Sequence, residues 1–216
     1  MIEAVVFDMD GLLVDSEDLW QRARIEAFGV ERLRWTEADQ RRVMGSNAQA
    51  WAAQMAERLG DEYTLDEIIE RVVSQMESYY REAVPLLPGA HEVIDSLRGQ
   101  YVLGLASGSS QRLIRAALQS AGWTDVFAEV LTGDDVAHGK PAPDMYLEVT
   151  RRLGVPVEMT AVFEDSTNGI LAGHAAGVKV IAIPSAYLRP PDDVLQKADL
   201  VLSSLLDFIP DMLQRL

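Results

Sequence analysis

The residues able to do chemistry sit where apolar runs stop. Ala4-Val5-Val6-Phe7 runs into Asp8-Met9-Asp10-Gly11, placing two carboxylates at i and i+2. Alternate residues of a strand share a face, so both aspartates can address one site beyond a strand's carboxyl end. Such a pair holds a hard cation or supplies acid, base or nucleophilic chemistry; a simple turn after a strand is the plainer alternative. The segment Tyr101–Ala106 runs into Ser107-Gly108-Ser109-Ser110. A hydroxyl and free N–H groups at a helix start form an anion site or merely cap the helix. His138-Gly139-Lys140-Pro141-Ala142-Pro143-Asp144 presents one lysine in a loop stiffened by two prolines. Ala161–Phe163 runs into Glu164-Asp165-Ser166, two further acids suited to a metal or to capping.

The elements that must position these residues follow from periodicity. Strands are expected at 3–7, 101–106, 126–131, 161–163, 178–183 and 200–202, with helices at 109–121, up to Leu153, and at 166–176. A last helix carries Leu206, Ile209, Leu213 and Leu216 on one face. Alternating strands and helices imply a parallel sheet with right-handed crossovers, and ligands of such sheets bind beyond the strands' carboxyl ends. Between the first two strands the pattern is helical, at about 17–28, 36–43, 47–59 and 65–82. Leu65, Ile68, Ile69, Val72, Val73 and Met76 recur at helical spacing. The expected fold class is α/β: a Rossmann-like parallel-sheet core (1–15 and 84–216) with an inserted α-helical cap (16–83). The insert leaves the core directly after the aspartate pair, the position of a lid, with a hinge near Val14–Ser16 and Ala83–Pro85.

The bulk numbers exclude some classes. With 216 residues, 48% of them hydrophobic, the chain can fill a core. A net charge of −15 repels nucleic acid and anionic lipid, so neither is expected as a partner, and any phosphate site needs local cations. The absence of cysteine rules out thiol chemistry and disulfides. Met-Ile-Glu-Ala enters a strand at once, so no signal peptide is expected. No apolar run approaches the roughly 20 residues of a membrane span. A cytoplasmic monomer is the expectation.

Together the D-x-D-G, the strand-end serine, G-K-P-x-P-D and E-D-S, in that order, resemble the haloacid dehalogenase superfamily phosphohydrolases that carry a helical cap. The likeness covers nearly the whole chain. Phe7–Glu17 is especially similar to the sugar-phosphate phosphatase and β-phosphoglucomutase branch. The resemblance implies that Asp8 is the nucleophile, giving an aspartyl-phosphate, and that Asp10 is general acid and then base. It implies Mg²⁺ on Asp8, the Asp10 main-chain carbonyl and Asp165, with Glu164 as a ligand or a partner of the ligands. Lys140 and the cation would offset the repulsion between carboxylate and phosphate, about 4 kcal/mol for unit charges at ~4 Å and an effective dielectric of ~20. Ser107 and the N–H groups of Gly108 and Ser109 would bind phosphate oxygens. An aspartate at position 10 separates phosphate-ester chemistry from dehalogenases, which lack it, and from ion pumps, which carry threonine.

Similar mutases carry an arginine in a cap loop after a glycine and a histidine early in the cap. Here Gly45-Ser46-Asn47-Ala48 places alanine in the first position, and Glu17-Asp18-Leu19-Trp20 places tryptophan in the second. The expected function is therefore a phosphatase for a small phosphorylated metabolite, a sugar phosphate with a polar, uncharged leaving group. A β-phosphoglucomutase-type mutase and a non-catalytic phosphate-binding protein are the alternatives. Trp20, Ser46 and Asn47 are expected to face the substrate, with Trp20 alternatively in the cap's core. Trp51, Met44 and Met55 read as cap packing. His91, His138 and His174 lack ligand spacing, and Gly169 and Gly173 read as a close helix–sheet approach.

Overall fold

A computed structural model describes residues 1–43, 46–185 and 187–216. Met44 and Gly45, both named above, lie outside the described residues.

Six parallel strands form one sheet: β1 (Ala4–Phe7), β2 (Val102–Ser107), β3 (Glu129–Thr132), β4 (Thr160–Glu164), β5 (Lys179–Ala182) and β6 (Leu200–Val201), in the spatial order β3-β2-β1-β4-β5-β6. The first strand is central. Its Phe7 lies opposite Leu105 of β2 and Phe163 of β4. That register sets Asp8, Ser107 and Glu164 at neighbouring strand ends. β1 is an unbroken apolar run because both of its faces are covered. Val5 and Phe7 pack with Leu103, Leu105 and Phe163, while Val6 packs on the other face with Ala106, Met145 and Val162.

Among the described residues, five helices separate β1 from the next core element: α1 (Glu17–Phe28), α2 (Val30–Leu33), α3 (Glu37–Val43), α4 (Ala48–Leu59) and α5 (Leu65–Glu82). α5 keeps the limits its periodicity predicts. It buries Ile68, Val72, Val73 and Met76, and starts at a Thr64–Glu67 capping box. The two chain segments joining this helical block to the sheet run side by side. The Asp15 N–H donates to the Pro85 carbonyl at 2.8 Å, and the Leu87 N–H to the Leu13 carbonyl at 3.0 Å.

The remaining helices are α6 (Ala90–Leu97), α7 (Gln111–Ala121), α8 (Asp144–Leu153), α9 (Thr167–Ala176) and α10 (Asp192–Leu195). The sequence reading had no helix for α2, α6 or α10. α6 nevertheless buries Ala90, Val93, Ile94 and Leu97, a helical spacing that starts right after Pro88-Gly89. The third strand begins at Glu129 rather than 126, because Val126 and Phe127 pack against the core from the turn before it. The last helix is a 3₁₀ segment, Pro210–Arg215, that buries Leu213 alone. Leu206 and Ile209 are exposed, since Pro210 starts the helix after them. No helix among the described residues is long and apolar enough to cross a membrane.

Candidate active site

The four strand-end segments converge. Lys140, carried in by the loop between β3 and α8, donates to Asp8 Oδ1 at 2.5 Å, to Glu164 Oε1 at 2.6 Å and to the Ala106 carbonyl at 3.2 Å. Asp8, Glu164 and Asp165 bring one carboxylate oxygen each to within 4.8 Å of one another, all buried. Burial pushes the Asp8 carboxyl up to about 8 against the pull of Lys140, and Glu164 and Asp10 add to the rise. Burial likewise drives Asp165 well above the usual carboxylate range, with repulsion from Asp8 and Glu164. One ammonium faces three carboxylates, an imbalance that a hard cation with oxygen ligands would relieve.

The two oxygens of Glu164 are already engaged. Oε1 accepts from Lys140 and the Tyr146 hydroxyl, and Oε2 accepts from the Asp165 N–H at 3.2 Å and from the Ser166 N–H and hydroxyl. Among the described residues Asp165 has no such set of donors, and its carboxylate lies directly over Gly11. A Cβ at position 11 would collide with it, and Gly11 has φ +83°, so glycine is required there twice over.

Asp10 is held by four donors. Its Oδ1 accepts from the Trp20 indole N–H at 3.1 Å and the Tyr80 hydroxyl at 3.3 Å; its Oδ2 accepts from the hydroxyls of Ser107 at 3.1 Å and Ser109 at 2.8 Å. Two of these donors come from the helical block and two from the end of β2. The Ser109 N–H also donates to Ser107 Oγ at 3.0 Å, turning the strand end back on itself.

A cleft open to solvent is lined by Asp8, Asp10, Ser107–Ser110, Lys140 and Asp165 on the sheet side. Trp20, Arg24, Gln40, Ser46 and Trp51 line the opposite, helical side. The haloacid dehalogenase-like hydrolase family matches residues 5–183. The chain belongs to that family.

Among the haloacid dehalogenase-like hydrolases, the chain is 34% identical to hexitol phosphatase B of Escherichia coli (strain K12), covering 94% of this chain and 93% of that protein. It is 33% identical to a phosphorylated carbohydrates phosphatase of Thermotoga maritima, covering 83% and 84%. The crystal structure of CbbY from Rhodobacter sphaeroides in complex with phosphate superposes with a TM-score of 0.86 at 28% identity, over 96% of each chain.

For this hydrolase, the structure brings Asp8, Asp10, Ser107, Gly108, Ser109, Lys140 and Asp165 to one cleft, with Glu164 behind Lys140. Trp20 is buried beside Trp51, with ring centroids 6.0 Å apart, and its N–H is turned into the cleft toward Asp10. Ser46 lines the cleft, but its hydroxyl is spent on the Val43 carbonyl. Asn47 lies apart from it. Its side chain caps α4 by accepting from the Ala50 N–H at 3.0 Å, and it lines a neighbouring surface depression with Asp134. Gly173 packs against Val162 and Val180, a close helix–sheet approach, whereas Gly169 leaves room for the Glu164 carboxylate itself. The sequence reading missed Tyr80, Tyr146 and Arg24. Only Arg24 had a local signal, one helical turn after Trp20 on the same face of α1.

Proposed function

We propose that the chain is a Mg²⁺-dependent phosphatase of small phosphorylated carbohydrates working through an aspartyl-phosphate on Asp8. The observation that carries this reading is the Asp8 carboxylate at the central strand end, flanked by Lys140 and Asp165, with Asp10 one strand position pair further on. Asp8 Oδ attacks phosphorus as the ester oxygen departs, and Asp10 delivers a proton to that oxygen. Asp10 then takes a proton from water, whose oxygen attacks the phosphorus of the acyl phosphate and returns Asp8 as a carboxylate. Lys140, Ser107 and the N–H groups near Ser109 hold the phosphate oxygens as charge shifts. The donor set fits Mg²⁺: Asp8, Asp165 and the Asp10 main-chain carbonyl would hold it, and it would supply charge neutralisation at the phosphate. Names of relatives acting on hexitol phosphates and phosphorylated carbohydrates support the substrate class.

Phosphate release from glucose 6-phosphate, 2-deoxyglucose 6-phosphate, glycerol phosphate and nucleoside monophosphates, with Mg²⁺ or with EDTA, tests this. Release from sugar phosphates that stops with EDTA is expected. Conversion of glucose 1-phosphate to glucose 6-phosphate without phosphate release would replace it with the mutase reading.

Glu164 is proposed as the residue that positions Lys140 rather than as a metal ligand, because both of its oxygens already accept hydrogen bonds. Glu164→Gln should lower kcat by roughly 10²-fold, the cost of losing one charged positioning bond of about 3 kcal/mol. The Mg²⁺ concentration for half-maximal activity should stay unchanged; a tenfold rise would make Glu164 a ligand.

Residues 16–83 are proposed as a cap hinged at the paired segments near Asp15 and Pro85. Arg112 of α7 reaches across to this block. It donates to Glu70 at 3.1 Å and to the Ser74 hydroxyl at 3.1 Å, and its Nε lies 3.0 Å from Glu77. These groups are partly exposed, so closure should gain no more than about 1 kcal/mol from them. Arg112→Ala should lower kcat/KM up to about fivefold at low salt and not at all at 0.5 M NaCl, where screening has already removed the attraction. Equal losses at both salt concentrations would rule out a latch.

A further inference from the structure

We infer that Arg24 reads a second anionic group on the substrate, a carboxylate or phosphate at the end of the carbohydrate remote from the transferred phosphate. The inference deepens the phosphatase reading and rests on it for the placement of the transferred phosphate.

Arg24 sits on α1 with 4% of its surface exposed. Its guanidinium carbon lies 5.2 Å from the ring of Trp20, 5.5 Å from Trp35 and 5.7 Å from Trp51. Those ring faces favour the cation, yet they accept little from its in-plane N–H groups. One of these, on Nη1, donates to Gln40 Oε1 at 2.7 Å. Nε is buried with no acceptor. Among the described residues Arg24 makes no ion pair. Glu17 and Asp10 act on the guanidinium through space but neither bonds it directly; Glu17 joins it through Gln40, whose Nε2 donates to Glu17 Oε2 at 3.1 Å. Gln40 Oε1 is also shared with the Trp35 indole N–H at 3.1 Å, so it is saturated.

A buried charge with no anion bonded to it, and a buried N–H without an acceptor, are both costly. The protein has the room to settle both, because Arg24 lines the cleft that Asp8, Asp10 and Lys140 line from the other side. Burial pulls the guanidinium down to about 10, which leaves it charged at neutral pH. A planar fork of donors matches a carboxylate or a phosphate in two parallel bonds. A neutral polyol would offer acceptors while leaving the charge uncompensated. The inference predicts an anionic leaving group where Ala48 and Trp20 pointed to an uncharged one, because it takes the cation from α1 and not from the loop before α4.

The test uses the full chain with Mg²⁺ and compares glucose 6-phosphate, 6-phosphogluconate and glucose 1,6-bisphosphate. At least one of the two doubly anionic compounds should exceed glucose 6-phosphate about tenfold in kcat/KM, mainly through KM, as a charge-assisted hydrogen bond predicts. A preference for phosphogluconate identifies a carboxylate; a preference for the bisphosphate identifies a phosphate. Arg24→Gln should reduce the ratio to within twofold, and Arg24→Lys should retain part of it. A wild-type ratio of one, or a ratio that survives Arg24→Gln, overturns the inference. Should the variants fail to fold, competitive inhibition of the wild type decides: gluconate must inhibit at least tenfold better than glucitol, and equal inhibition rejects the inference. Tryptophan fluorescence of the wild type, with three indoles around Arg24, reads binding without turnover. Tenfold tighter binding of phosphogluconate than of glucose 6-phosphate, with no phosphate released from either, would keep the anion site and reject the hydrolase. Turnover of glucose 6-phosphate without any preference would do the reverse.

Discussion

Asp8→Asn should cut phosphate release by roughly 10⁴-fold or more, the scale expected when a covalent nucleophile is lost, while the protein stays folded. The amide keeps the shape of the carboxylate but cannot attack phosphorus. It also changes the electrostatics in a measurable way. Asp8, Glu164 and Asp165 are three buried carboxylates around one ammonium. Burial raises Asp8 from 3.8 to about 8 without a metal. Between those values the folded state holds a proton that the unfolded state has released. Stability of the metal-free protein should therefore fall as pH rises from about 4 to about 8. Asp8→Asn should flatten that slope, because the titrating group is gone. Thermal unfolding at pH 5 and pH 8 in EDTA, for both proteins, measures it. Mg²⁺ should raise Tm of the wild type at pH 8 and do so less for the variant, since one ligand has lost its charge. Phosphate release near the wild-type rate would remove Asp8 as nucleophile. An unchanged Mg²⁺ effect on Tm would remove it as a ligand.

Much of this site was legible because the chemistry lies at strand ends, where sequence order and space coincide. Phe7-Asp8, Ser107, Lys140 and Glu164-Asp165 each follow or join a strand of one parallel sheet, and parallel register brings those ends level. α5 was legible over its whole length because its apolar face repeats over eighteen residues. α2 and α10, four residues each, are too short to show a period. The partners of Asp10 could not be read in the same way. Tyr80 reaches it from seventy residues away, and Trp20 through a helix angle that no local pattern sets. Asn47 is the converse case: a polar residue expected to face the substrate caps α4, the common use of asparagine in that position.

Gly169→Ala should be nearly as damaging to activity as the loss of an active-site group, although residue 169 does not itself line the cleft. An alanine Cβ there would coincide with the carboxylate of Glu164. Helix α9 cannot retreat easily, because Gly173 already sets Val162 and Val180 against it; a Cβ at 173 would lie 2.8 Å from Val180 Cγ2 and 3.1 Å from Val162 Cγ2. Glu164 must then rotate away, releasing Lys140 and the Tyr146 hydroxyl, both buried. Breaking a buried ion pair costs about 3–5 kcal/mol, against about 1 kcal/mol regained from replacing glycine in a helix. A net loss of about 3 kcal/mol corresponds to a Tm roughly 10 °C lower for a chain of this size. Activity should fall at least about 100-fold, because Lys140 loses its second anchor. Gly173→Ala is the matched comparison. It overpacks apolar side chains at a cost of about 1–3 kcal/mol and leaves Glu164 where it is, so Tm should drop while kcat at a temperature below unfolding stays near the wild-type value. Differential scanning fluorimetry and steady-state rates on the pair separate the two cases. If Gly169→Ala loses stability but keeps its kcat, Glu164 does not position Lys140, and the lysine is held by Asp8 and the Ala106 carbonyl alone.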